Sequence, residues 1–451
     1  MTSIVKPLNI FSIIEKIPFH YLKIIGIRAI LIKKKGDFDM ILRPILNSLL
    51  ENDLYKFNMG NVIFKKFNDY KTTWTFKCRN EDVRFTVGMM QEIREQLDHY
   101  CTLRFTDDEI EYLRTACPWL SDGYLNYLKF WHPVREEILV QNGIEGDGMD
   151  KGILLEPYND CGIAIEARGT WLNTSMYEIA ILAIVNEVYF AFQYGDELRH
   201  EFTKRMCAKV AGLNDGTYDI GTFSEFGMRR RLDGFTQDML VDYLKTNAPG
   251  FVGTSNVYLA WRYGVKPVGT MAHEFVQCVG QGNHEHNPAY SNKFAMKAWT
   301  DEYQTRNGIV LGDTIGTDVF LKDFDLTYAT LFSGVRHDSG DPIAWGEKIL
   351  AHYEKLGINP KLKTLLFSDS LNFERATAIK RHFDGRCNIA FGIGTSLAND
   401  AGVEPLNIVM KVTECNGSPV AKISDTPGKG MCRDNGYVDY LNRTIKWRME
   451  H

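Results

Sequence analysis

Five times in the second half of this chain a short apolar run gives way to a polar cluster and then to a stretch with helical spacing. Residues 266–268 lead into GTMAHEF, 308–311 into GDTIGTD, 334–335 into RHDSGDP, 364–367 into SDSLN and 388–391 into GIGTS. Around RHDSGDP, for example, the mostly apolar run 329–332 leads in as a strand would, and Trp345, Ile349 and Leu350 follow as one face of a helix would. Strands spaced roughly 25–40 residues apart, with helices between them, predict parallel βα units. Polar groups gathered at the carboxyl ends of successive strands predict a β/α barrel, with a doubly wound sheet as the other arrangement that fits.

The segments before this region read differently. Leu54, Phe57, Met59, Val62, Ile63 and Phe67 recur helically, with Asn52 or Asp53 as the N-cap, and TTWTFKC (residues 72–78) alternates like a strand. Residues 89–113 read as helical and 143–152 as a glycine-rich turn region. Residues 40–165 are therefore expected to form a mixed α/β domain and 166–405 the βα units. Residues 1–39, rich in Ile, Leu and Lys, read as an N-terminal extension outside that fold. Glu15, Lys16, His20, Lys23 and Arg28 interrupt each of its apolar runs, so no membrane span is expected.

Across 451 residues, 52 basic and 57 acidic side chains leave a net charge of −5, which carries no footprint of nucleic-acid binding. Nine cysteines without a CxxC pair point to free thiols in a reducing, cytoplasmic compartment.

The polar clusters offer chemistry. Asp338 and Asp341 could hold a magnesium ion or sugar hydroxyls, and Arg336 a phosphate, or the same residues could simply build a turn. His273 could serve as general base or phosphoryl acceptor, with Glu274 as its orienter, or be a structural imidazole. Asp369 adds a carboxylate. Gly392 and Gly394, followed by Thr395 and Ser396, suit either a phosphate cradle or an ordinary turn. Phe226 beside Arg229, Arg230 and Arg231 could clamp a planar anionic ring or form a solvated face. His284 and His286 suggest zinc, but their polar loop offers no evident third ligand, and no protein metal site is expected.

Taken together, NDLYKFNM, FGMRRR, GTSNVYLAWRYGVKPVGTMAHEF, RHDSGDP, FSDSLNFERA, FGIGTSL and PLNIVMKVTECNGSPVAKISD resemble the nicotinate phosphoribosyltransferases, type II phosphoribosyltransferases of NAD biosynthesis. The resemblance runs from about residue 40 to 425. It implies an irregular β/α barrel with a second α/β domain built from both ends of the chain, so that residues 406–451 join residues 40–165. It implies transfer of a phosphoribosyl group from phosphoribosyl pyrophosphate to nicotinate, coupled to ATP hydrolysis, with Mg2+ on the phosphates, by a homodimer with shared active sites.

By the same resemblance His273 is the phosphorylated histidine, and Phe226 stacks on the pyridine ring opposite Tyr55, supplied by the partner subunit. Arg229 and Arg230 approach substrate carboxylate and phosphate. Arg336, Asp338 and Ser339 form the RxDSG motif at the ribosyl phosphate and hydroxyls, Asp369 is a second ribose-side carboxylate, and Gly394 and Thr395 cradle the 5′-phosphate. Ser255 stands where nicotinamide-using relatives carry an aspartate. A hydroxyl can donate to a carboxylate that an aspartate would repel, which favours nicotinate. Nicotinamide or quinolinate transfer, and a non-catalytic barrel sensing phosphorylated metabolites, are the alternatives.

Overall fold

A computed structural model of the chain describes residues 29–34, 37–142, 161–426 and 429–451. The described residues before Ile45 form a unit of their own, in which β1 (Ala29–Lys34) pairs antiparallel with β2 (Asp37–Leu42). The rest of the expected extension and the glycine-rich stretch 143–152 lie outside the described residues.

The second unit, residues 45–451, opens with helix α1 (Leu54–Lys66). Asp53 stands at its N-cap as expected, but its carboxylate makes no capping bond. Strands β3 (Lys71–Cys78), β4 (Ile138–Asn142) and β5 (Ile163–Thr170) follow, and the expected helical region splits at Leu103 into Val87–Thr102 and Asp107–Ala116. Thr106 caps the second of these with a reciprocal Glu109 capping box, which fixes the break. Helix α2 (Tyr177–Tyr194) packs deep in the core. The run Trp171–Tyr194 is long and apolar enough to cross a membrane by length and composition, but it is mostly buried inside the fold.

The parallel strands are β6 (Phe223–Glu225), β7 (Phe251–Thr254), β8 (Lys266–Pro267), β9 (Ile309–Leu311), β10 (Gly334–His337), β11 (Thr364–Phe367) and β12 (Asn388–Ile393). They form one curled sheet in the order β8-β7-β6-β12-β11-β10-β9. Because all seven run the same way, every loop that follows a strand opens on one edge. The curl brings its outer strands together: just past β8, Thr270 Oγ1 donates to the carbonyl of Ile309 in β9 at 2.8 Å. The chain then adds β13 (Ile408–Cys415) and β14 (Ser418–Pro419), and β13 pairs antiparallel with β3. The result is a five-stranded antiparallel sheet, β14-β13-β3-β5-β4, drawn from segments on both sides of the parallel one.

Four helices matter for the edge: α3 (His273–Gln281), α4 (Leu326–Leu331), α5 (Pro342–Lys355) and α6 (Thr395–Ala398). The apolar run 329–332 leading to RHDSGDP belongs mostly to α4, and the strand itself is confined to Gly334–His337. Buried Val335, Leu365, Phe367, Phe391 and Ile393 stand at alternate positions of paired strands and so pack one face of this sheet into the core, while Arg336, Thr364 and Leu366 on the other face are only half-buried.

Candidate active site

Three strand ends and one distant residue meet around His273. The imidazole opens α3, is 4% exposed, and its Nε2 lies 2.9 Å from Asp313 Oδ1 and 3.6 Å from Asp338 Oδ2. Asp313 follows β9 and Asp338 follows β10. Ser339 Oγ donates to Asp313 Oδ2 at 2.6 Å, and Lys422, beyond β14, places its ammonium 3.2 Å from Asp313 and 3.8 Å from Asp338. Burial, reinforced by Lys422 and opposed by Asp313, pushes the imidazole down to about 4, so it is neutral near pH 7. Burial pushes the carboxyls the other way, but Lys422 and His273 hold Asp313 well below the usual range. Arg336 and Lys422 likewise bring Asp338 down to about 2. With Asp313 ionised, the Nε2–H proton points at it, and the lone pair resides on Nδ1.

Glu274 does not orient His273. It turns to the buried ammonium of Lys56 and accepts from Ser175. Adjacent positions at a helix start diverge by about 100°, so the residue beside His273 in sequence cannot face the same groups. The orienter is Asp313, whose signal was present in the sequence: GDTIGTD ends a strand as the other clusters do. Lys422 carried no such signal, because it reaches the strand ends from outside the βα pattern.

Further along the edge, Ser368 Oγ donates to Asp338 Oδ1 at 3.1 Å, and Asp369 pairs with Lys429 and accepts from Ser370. Arg336 Nη1 donates to the Met271 carbonyl at 3.0 Å, while its buried Nε has no hydrogen-bond partner. His337 is structural: its Nε2 meets the Gly340 carbonyl and its ring packs between Trp345 and Phe367. Asp341 is an N-cap, accepting from Ala344 N at 2.8 Å ahead of Pro342, so its carboxylate serves the start of α5. Gly394 and Thr395 stand at the start of α6, beside the β6 end. There is no room for a side chain at Gly392, where a Cβ would lie 2.3 Å from the Phe226 ring.

That ring begins the second half of the site. Phe226 lies against β12, with its N–H on the Ile393 carbonyl. The three arginines after it divide. Arg231 is buried against Glu51, Glu187 and Gln237 and is structural. Arg229 is partly exposed, 3.9 Å from Glu178. Arg230 donates from Nε to the Ile408 carbonyl, and burial beside Arg229 and Arg79 pushes it down to about 9. Glu178 is shared with Lys56 at 2.7 Å, and burial pushes the neighbouring Lys411 down to about 7. Tyr55 lies beside its own chain's Asp53, Glu178 and Arg229, and burial first, then these carboxylates, raise its phenol well above the usual value. Ser255, at the end of β7, directs its hydroxyl proton to Asp53 Oδ1 at 2.7 Å.

A buried neutral imidazole, two carboxylates that could face a cationic sugar carbon, several cations that could meet phosphate oxygens, and an aromatic face flanked by arginine thus share one edge. The ligand atoms of His273, Asp313 and Asp338 also lie within 4.8 Å of one another, close enough for a metal ion, but the Lys422 ammonium already supplies positive charge there. His284 and His286 do not converge on a metal. The first meets the Asn416 carbonyl, and the second stacks on Phe294 at 3.6 Å.

Residues 222–448 match the family model described as the nicotinate phosphoribosyltransferase (NAPRTase) family, and residues 50–186 match its N-terminal domain. The chain is 41% identical over 405 residues to the nicotinate phosphoribosyltransferase of Ralstonia pickettii, covering 89% of this chain and 99% of that protein. A similar protein from Chromobacterium violaceum is 41% identical over 414 residues, covering 89% and 98%. The crystal structure of the nicotinate phosphoribosyltransferase from Porphyromonas gingivalis superposes with a TM-score of 0.80 at 34% identity, covering 89% of this chain and all of that one. That from Vibrio cholerae gives 0.80 at 33% identity, covering 90% and 95%.

Proposed function

Given that this chain belongs to the nicotinate phosphoribosyltransferase family, we propose a division of labour among its residues for that enzyme's reaction. The enzyme joins nicotinate to the phosphoribosyl group of phosphoribosyl pyrophosphate, giving nicotinate mononucleotide and pyrophosphate. The convergence of His273, Asp313, Asp338 and Lys422 carries the assignment of roles.

Nicotinate lies with its ring on Phe226, and Tyr55 of the partner subunit faces it from the other side. Arg229 draws in the carboxylate, which Ser255 faces with its hydroxyl. As the pyridine nitrogen attacks C1 of the sugar and the C1–O bond to pyrophosphate breaks, positive charge builds on the ribosyl centre. The carboxyl groups of Asp338 and Asp369 stabilise that charge. Arg336, Ser339 and the amides at Gly394 and Thr395 hold the ribosyl phosphate and hydroxyls. Mg2+ fits this carboxylate-rich edge: Asp338 and Asp369 would hold it, and it would neutralise the leaving pyrophosphate.

ATP acts through His273. The Nδ1 lone pair takes the γ-phosphoryl group, an N–P bond forms, the P–O bond to ADP breaks, and water later releases phosphate. The phosphoryl group adds roughly two negative charges beside Lys422 and Arg336, and so tightens the cationic edge around substrate. Closure of the curled sheet into an irregular barrel, a second domain from residues 40–165 and 406–451 around a barrel of residues 166–405, and a homodimer with shared sites belong to the same reading. Nine free thiols support a cytoplasmic setting.

The test is a product assay with nicotinate, nicotinamide and quinolinate, each with phosphoribosyl pyrophosphate, with and without ATP, in the wild type and in His273→Gln. The expected result is nicotinate mononucleotide alone, stimulated by ATP in the wild type and unstimulated in the variant. Full ATP stimulation in His273→Gln would overturn the phosphohistidine assignment, and preferential use of another pyridine would overturn the assignment of Ser255.

A further inference from the structure

We propose that Asp53 is a specificity-determining residue of the pyridine pocket, acting through Ser255 so that an anionic pyridine enters together with one proton. The inference rests on the reading above, in which Ser255 faces the substituent of the pyridine ring.

Asp53 occupies the N-cap of α1, where an aspartate normally accepts from the amides of the first turn. It accepts none, and its carboxylate turns instead to Ser255 Oγ. The backbone holds the pair together: Asp53 and Asn256 form an isolated antiparallel bridge, and Leu54 N–H donates to the Ser255 carbonyl at 2.9 Å. Asp53 is 4% exposed and Ser255 3%, so water contributes little to solvating either.

Four charged or titratable groups face this carboxylate from the elements around it. Glu225 comes from β6, Glu178 from α2, Arg229 from the turn after β6, and Tyr55 from α1 itself. Glu225 is already served by donors, with the Gly227 amide, the Thr254 hydroxyl and the Gln237 amide group all directed at it. Glu178 is matched by Lys56 and Arg229. Asp53 has one identified donor, the Ser255 hydroxyl. A hydroxyl has one proton, so while Ser255 serves Asp53 it offers an incoming carboxylate only lone pairs, next to a further negative charge.

Protonating Asp53 removes both obstacles. The neutral acid can donate its own proton, Ser255 is released to donate to the substrate, and the count of buried anions is unchanged when nicotinate enters. Burial, partly offset by Ser255 and augmented by Glu225, already raises Asp53 to about 7, so the proton is within reach near neutrality. The balance is simple: ionised Asp53, nicotinate anion and one proton from solvent become protonated Asp53 with bound nicotinate. A neutral carboxamide imposes no such demand.

The experiment is titration calorimetry of nicotinate and nicotinamide binding in buffers of different ionisation enthalpy, between about pH 6 and 9, paired with the pH dependence of KM for nicotinate. The wild type should take up close to one proton per nicotinate on the alkaline side, and its KM for nicotinate should rise toward ~tenfold per pH unit there. Nicotinamide, where it binds, should take up no proton. Asp53→Asn, which mimics the neutral acid, should take up no proton and give a flat KM. Ser255→Ala keeps Asp53 but removes the donor that favours its anion, so the midpoint of proton uptake should move to higher pH. Uptake unchanged in Asp53→Asn, or a midpoint unmoved in Ser255→Ala, would overturn the inference. A wild type that neither binds nor turns over nicotinate at any pH would instead overturn the functional reading beneath it.

Discussion

Replacing Lys422 with methionine isolates the electrostatics of the His273 cluster. The ammonium sits 3.2 Å from Asp313 and 3.8 Å from Asp338, with its side chain 6% exposed. At an effective dielectric of about 20, unit charges at those separations attract by roughly 5 and 4 kcal/mol, upper bounds for each pair. Desolvating the lysine offsets several kcal/mol of this, and removing one partner of a buried pair typically costs about 3–5 kcal/mol. For a chain of 451 residues, an unfolding entropy of roughly 2.1 cal/mol/K per residue converts that into a fall in Tm of about 3–5 °C.

The pH dependence discriminates this from a simple packing defect. In the wild type the carboxyls of Asp313 and Asp338 are depressed, so their contribution is present above the unfolded-state value and lost as pH falls through the folded one. His273 is also depressed, and folding therefore opposes its protonation below about 6.5. Without Lys422 all three values rise, and protons supply the missing positive charge as the solution is acidified. The deficit of Lys422→Met, read by scanning calorimetry, should be full at about pH 8 and shrink to less than about half near pH 5. An equal deficit at both pH values, or none at pH 8, would refute the placement of the ammonium between the carboxylates.

Two further outcomes follow from the site. Because burial keeps the His273 imidazole neutral down to about 4, its phosphorylation by ATP, followed by radiolabel incorporation, should stay level from about pH 8 to 5; a fall centred on 6.5 would show an exposed imidazole. Gly392→Ala should displace the Phe226 ring, since a Cβ would come within 2.3 Å of it. The KM for nicotinate should rise about tenfold while Tm moves by less than about 2 °C, and an unchanged KM would remove Phe226 from the ring-binding face.

The parallel strands were legible because their signal is local: short apolar runs bounded by Gly, Asp and Ser mark where a strand stops and a turn begins. The same locality misled at two places. Run 329–332 is mostly apolar but forms the end of a short helix, which Asp325 starts by accepting from the amides of Thr327 and Tyr328. Asp341 has the composition of a ligand, yet Pro342 after it marks a helix start, and the carboxylate serves that start. Among the three arginines of FGMRRR, nothing in the sequence separates Arg231, which pairs with Glu51 and Glu187 in the interior, from Arg229, which remains partly open to the site.

What the chain alone determined was which strand ends carry reactive groups, because polarity and turn chemistry are written in consecutive residues. What the tertiary structure decided was who faces whom. Asp313 lies 40 residues from His273, Ser255 lies 202 from Asp53, and Lys422 arrives after the last parallel strand. The charges these side chains carry depend on such encounters. Burial and a neighbouring charge shift an acid or base by several pKa units, and neither exists until the sheet has curled and its loops have come together on one edge.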